Sequence, residues 1–258
     1  MKKLFSILVL LALLVAPIEA KTTKKAARRT TQTAAAAVAV TKGATHNFGT
    51  YLTTQEFTLK TKKVKYSIEY PISGNAQLVQ AMREYIKNTL NSNYKGSLTT
   101  PDGLLKSAYK QVDRMCEVET DIKVKYSTKE AVTLVSDGYE YCGGAHGMPL
   151  IHGQTFRVSD GMAFDISMLP SFSSWSGKVK QGLANGFNAS VSDLSNILFD
   201  VNSLDYPGTV YLTNDGILLQ YQPYEIAPYA SGAPTAVIPA TKDNLNSLNS
   251  TGRSFFNQ

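Results

Sequence analysis

The chain has 258 residues, of which 43% are hydrophobic and 18% charged. That length supports one large domain or two small ones with a real core. Its formal net charge of +6 does not mark a nucleic-acid binder, because Lys21, Lys24, Lys25, Arg28, Arg29 and Lys42 stand in an acid-free stretch. From Gly43 onward, 18 basic residues face 19 acidic ones, so the body is close to neutral, whereas a nucleic-acid role would need a basic face on the fold.

Lys2 and Lys3, the apolar run from Leu4 to Ala16, and Pro17-Ile18-Glu19-Ala20 read as a signal peptide cleaved after Ala20. The mature chain is therefore expected to be exported, to a periplasmic or extracellular location. No cysteine follows the cut to accept a lipid, and no other segment is long and apolar enough to span a bilayer. Residues 21–55, rich in Lys, Thr and Ala, read as a basic flexible spacer.

The spacing of the body predicts an α+β fold of antiparallel hairpins with about three packed helices, in two subdomains at 56–147 and 148–242, followed by a polar tail at 243–258. Lys63 to Tyr70 alternates polar and apolar residues as a strand that Pro71 ends. Leu78, Met82, Ile86 and Leu90 recur at helical spacing, with Ser73 or Asn75 as the cap. A second helix follows from Thr100 as cap, Pro101 at the first helical position, and Leu105, Ala108, Tyr109 and Val112 on one face.

Val118–Tyr126 and Ala131–Val135 alternate again and predict a hairpin. Matching their apolar faces sets Val124 opposite Leu134 and Tyr126 opposite Val132. The same register brings Cys116 opposite Cys142. These are the only two cysteines in the chain, and in an oxidising compartment they are expected to form a disulfide. Further along, 153–158 and 162–168 flank Ser159-Asp160-Gly161 as a hairpin. Trp175, Val179, Leu183 and Phe187 mark a third helix. Val210–Thr213 and Ile217–Gln222 flank a turn at Asn214-Asp215-Gly216.

Two stretches do not follow from core patterning: Tyr139 to Gly147, which holds Gly143, Gly144 and His146, and Tyr224 to Gly232, which holds Glu225 and Tyr229. The chain lacks the signatures of serine hydrolases, zinc peptidases and nucleotide-binding loops. His146 and His152 with Asp137 or Asp165 offer three ligand groups, but their spacing is no metal pattern; neither a metal nor a cofactor is expected. His146 and Glu225 are the candidates for an acid-base pair, and a structural contact between them is the competing reading. Tyr139, Tyr141, Gly143, Gly144, His146, Tyr224, Glu225 and Tyr229 are the candidate binding residues, since tyrosine presents apolar area with a polar tip. Packing within strands is the alternative for each tyrosine.

A strand ending in Tyr70-Pro71, a helix, the loop Tyr141-Cys142-Gly143-Gly144-Ala145-His146, a hairpin and the late run Tyr224-Glu225-Ile226-Ala227-Pro228-Tyr229-Ala230-Ser231-Gly232 together resemble the extracytoplasmic RsiV-like domain family. That family of unknown general function is also represented in the non-catalytic part of the peptidoglycan deacetylase PdaC. The resemblance spans about residues 60 to 242. It implies a non-catalytic envelope module that recognises a lysozyme-like protein or peptidoglycan. Neither a sigma-binding segment nor a deacetylase domain is recognisable in the chain, so the anti-sigma and deacetylase roles are not carried over. A cell-wall hydrolase or deacetylase-type enzyme using His146 and Glu225 is the alternative.

Overall fold

The computed structural model describes residues 38–256; the expected signal peptide and the basic stretch up to residue 37 lie outside the described residues. The first half forms a six-stranded sheet of β1 (Val40–Asn47), β2 (Leu52–Lys60), β3 (Val64–Gly74), β4 (Glu117–Ser127), β5 (Ala131–Tyr141) and β6 (Met148–Arg157) in sequential order. Every neighbour pair is antiparallel except β3 and β4. A parallel pair needs a crossover. Here α1 (Ala76–Asn91) and α2 (Asp102–Gln111) supply it.

Helix α1 starts where expected: the Asn75 side chain accepts from the backbone N–H groups of Gln77 and Leu78, satisfying two of the donors that a helix start leaves open. It buries Leu78, Val79, Met82 and Ile86. Helix α2 begins one residue later than its pattern implied, with Pro101 rather than Thr100 at the cap position and no side-chain cap. Both helices lie over the core of Tyr66, Ile68, Ile122, Val132, Leu134 and Phe156.

The second core gathers around α3 (Phe172–Gly186), which packs on a three-stranded antiparallel sheet of β7 (Thr209–Thr213), β8 (Gly216–Gln220) and β9 (Thr235–Ile238). Short helices α4 (Leu194–Ile197), α5 (Lys242–Asn246) and α6 (Ser250–Arg253) complete it. The architecture is α+β, as expected. A buried hydroxyl relay ties β7 to the large sheet. The Thr133 hydroxyl donates to the Leu212 carbonyl (2.8 Å), Thr155 accepts from the Leu212 N–H (2.7 Å), and the two hydroxyls lie 2.7 Å apart.

Five expectations need correction. Residues 40–47 and 52–55 are strand rather than spacer. β1 is an edge strand, largely exposed and polar, so it carries no apolar alternation. Pro71 lies within β3, at a register shift between Thr53 and Thr54, where a bulge accommodates a residue without an N–H. The division at 147/148 falls between β5 and β6, which pair along ten positions from Ala131↔Arg157 to Glu140↔Met148. Residues 162–168 hold one bridge, Phe156↔Ala163, and a 3-10 turn instead of a second hairpin strand. The presumed polar tail is folded, with Leu248 and Phe255 buried against the second core.

Candidate functional site

The β4–β5 register is the one matched from apolar faces as far as Val124↔Leu134. A bulge then shifts Tyr126 to Thr133 rather than Val132. The Val124 N–H is taken up by the Glu69 carboxylate at 3.0 Å, which also accepts from the Thr54 hydroxyl at 2.5 Å. At the other end of the ladder the register carries through to Glu117↔Tyr141. One step beyond, Cys116 and Cys142 are bonded to each other, with Cα atoms 4.0 Å apart.

This bond anchors the first loop. Gly143 and Gly144 both have φ of +98°, a backbone that only glycine adopts without strain, and the Tyr141 hydroxyl donates to the Gly144 carbonyl at 3.1 Å. Gly147 is buried under the Tyr139 ring, where a Cβ would come within 2.4 Å of ring atoms.

The second loop meets the first at His146. Its ring stacks on Tyr229 with centroids 3.7 Å apart and planes 19° apart, and Tyr224 lies 5.6 Å from Tyr229 on the same cluster. The Tyr229 hydroxyl donates to the Gly147 carbonyl at 2.7 Å, while Tyr224 Oη and His146 Nε2 are 3.4 Å apart. Gln222 clamps the loop onto edge strand β6, accepting from the Ile151 N–H (3.2 Å) and donating to the Ile151 carbonyl (2.6 Å). Tyr224 has φ of +67°, an uncommon backbone for a bulky residue, and its side chain is 49% exposed.

Glu225 does not join His146. Its carboxylate accepts from the Gln222 N–H at 2.7 Å and closes its own turn, so the acid-base pair considered from the sequence is not assembled. The histidine-carboxylate grouping does not form either. His152 Nδ1 lies 3.3 Å from the Thr209 hydroxyl, and Asp165 accepts from the Ser167 N–H at 2.7 Å. Among the described residues, the one grouping of potential metal ligands is Cys116, Glu140 and Cys142. Its two sulfurs are in the disulfide and offer no thiolate.

A second feature was missed from the sequence: a cleft of about 620 Å³ over one end of the large sheet. Successive rows of the register form its floor, Val118 beside Glu140, then Thr120 beside Gly138 with Tyr66 next to Thr120, then Ser136 beside His152. Tyr85 and Asn88 of α1 and Gln111 of α2 wall one side; Gly208 and Thr209, at the entry to β7, close the other. The signal was present in β5. Its even positions run from apolar Val132 and Leu134 to Ser136, Gly138 and Glu140, so one face turns from core to polar along a single strand.

Two sequence profiles match the chain: that of the family described as "Deacetylase PdaC" over residues 57–149, and that of "Protein of unknown function (DUF3298)" over residues 177–241. These two matches support a domain of the DUF3298 and PdaC type. No curated protein sequence matches the chain. The crystal structure of a DUF3298 family member from Bacteroides fragilis superposes with a TM-score of 0.62 at 15% identity, covering 84% of this chain and 96% of its own. A DUF3298 family protein from Pseudomonas aeruginosa gives 0.58 at 16% identity, covering 86% and 97%. At such identity the likeness concerns the fold alone. The DUF3298 and PdaC matches fit a non-catalytic accessory domain of unknown function. Among the described residues, no helix is long and apolar enough to cross a membrane.

Proposed function

We propose that this domain is an exported, non-catalytic recognition module of the cell envelope. Its paired loops would meet an envelope protein of the lysozyme kind or peptidoglycan. The observation that carries this reading is the aromatic cluster of His146, Tyr224 and Tyr229, built from the two loops that stand out in the sequence. Rigid aromatic side chains concentrate binding energy at interfaces because they bury much area at little entropic cost. The carboxylate that catalysis would need beside His146 is engaged in its own turn. A disulfide in the first loop suits an oxidising compartment.

The test is retention of the chain on immobilised lysozyme and on purified peptidoglycan, beside a Tyr224→Ala variant. Retention on one of them, reduced in the variant, is the expected result. Retention on neither removes both partners.

A further inference from the structure

We propose that the cleft over β3 to β6 is a second binding site, and that it takes an uncharged saccharide. This inference deepens the recognition reading above and rests on it only in treating the domain as a binder; the residues that carry it are different ones.

Unused hydrogen-bonding capacity is the first argument. Tyr66 is 4% exposed and Ser136 2% exposed, and both line the cleft. Among the described residues, neither hydroxyl has a hydrogen-bond partner within the protein. Asp121 Oδ1 is the one fully buried side-chain polar atom without a partner among the described residues, so both hydroxyl oxygens reach the open cleft, where their hydrogen-bonding capacity is available to a ligand that displaces water. The Thr120 hydroxyl and the Asn88 and Gln111 amides, all lining the cleft, are also without protein partners among the described residues.

Charge narrows the ligand. Glu140 is the only Asp, Glu, Lys or Arg side chain lining the cleft. Burial lowers the pKa of His152, so its ring stands neutral at pH 7, with Nδ1 on Thr209 and Nε2 left for a ligand. A site with one carboxylate and no cation disfavours phosphates, nucleotides and uronic acids. Hydroxyls, amides and a neutral imidazole can each donate or accept, which matches a ring of hydroxyl groups whose hydrogen-bond direction is free to adapt. The half-buried Tyr85 ring supplies apolar area for sugar C–H surfaces. The volume falls within the roughly 300–1,000 Å³ of small-molecule sites.

Local construction keeps the cleft open. Gly138 forms the floor where a Cβ would come within 3.1 Å of the Leu150 carbonyl oxygen. The Tyr85 hydroxyl donates to the His152 carbonyl at 2.9 Å and fixes α1 against β6. The Cys116–Cys142 bond sits two register steps beyond the Val118–Glu140 row and holds that end of the floor together.

The test is a titration of the ¹⁵N-labelled chain, followed by NMR, with cellotetraose and chitotetraose as neutral probes and tetragalacturonate as the anionic one. The expected result is saturable shifts with a neutral probe, centred on the amides of Tyr66, Gly138 and His152, and weaker binding of tetragalacturonate. Asn88→Trp and Gln111→Trp, both on exposed helix positions at the cleft wall, should each weaken the neutral probe at least tenfold without moving the thermal midpoint. Any shifts at the amides of His146, Tyr224 and Tyr229 belong to the paired loops, so the two sites are read separately. Absence of saturable shifts at about 10 mM of either neutral probe, equal binding of tetragalacturonate, or indifference to both tryptophan variants would overturn the proposal.

Discussion

Removing the Cys116–Cys142 bond should cost the domain much of its stability. The cysteines are 26 residues apart, and the loop-closure relation for a chain of that length gives about 3.5 kcal/mol at 25 °C. The term acts on the unfolded chain, which gains freedom when the link is cut, so it applies even though the β4–β5 ladder stays paired. For a domain of this size, each kcal/mol moves the midpoint by about 2–4 °C. The double variant Cys116→Ser/Cys142→Ser should therefore melt roughly 7–14 °C lower by calorimetry or circular dichroism. Urea denaturation should show a reduced midpoint, with a shallower slope in the disulfide-bonded form because its unfolded state exposes less surface. A loss under about 1 kcal/mol would refute the reasoning, since it would mean that the unfolded hairpin is already closed without the bond. Two free thiols in the denatured, unreduced wild type would refute the pairing itself.

The hydroxyl relay between β5, β6 and β7 gives a second expectation. Thr155→Val keeps the shape but leaves the buried Leu212 N–H without its acceptor, and should cost about 1–3 kcal/mol in urea denaturation; an unchanged midpoint would show that water or a backbone shift replaces the bond. His152 predicts a pH dependence. Its folded-state pKa is lowered by burial, so the unfolded chain takes up the proton first as the pH falls. The stability contributed by the neutral ring is present above about 6.5 and is lost below it. His152→Gln should flatten the acid limb of the melting profile between about pH 5 and 7, and a wild-type imidazole titrating at or above the ordinary value by NMR would contradict this.

Local sequence pattern revealed what depended on local pattern. The α1 cap at Asn75 and the facing of Cys116 with Cys142 were legible because a short period or a shared register fixes each of them. The bulge near Lys125 was not, because it depends on Glu69, from a strand far away in sequence, accepting from the Val124 N–H. Strand β1 escaped notice because an exposed edge strand needs no apolar face. Helices α5 and α6 are five and four residues long, too short to display a helical period, and Phe255 is buried by tertiary packing. The two unusual loops were visible as motifs, but the stack of His146 on Tyr229 across 83 positions was not; it replaced the expected partnership with Glu225. The cleft depends on five strands and two helices at once, and only the change of character along β5 hinted at it.

The measurement that bears most directly on the recognition reading is calorimetric titration of the chain with lysozyme and with solubilised peptidoglycan, repeated with Tyr224→Ala. An exposed aromatic at the centre of an interface contributes about 2 kcal/mol or more. Saturable heat with at least one partner, weakened about 30-fold or more in the variant, is the predicted result. No saturable heat with either partner, or equal affinity in wild type and variant, would contradict recognition through the paired loops.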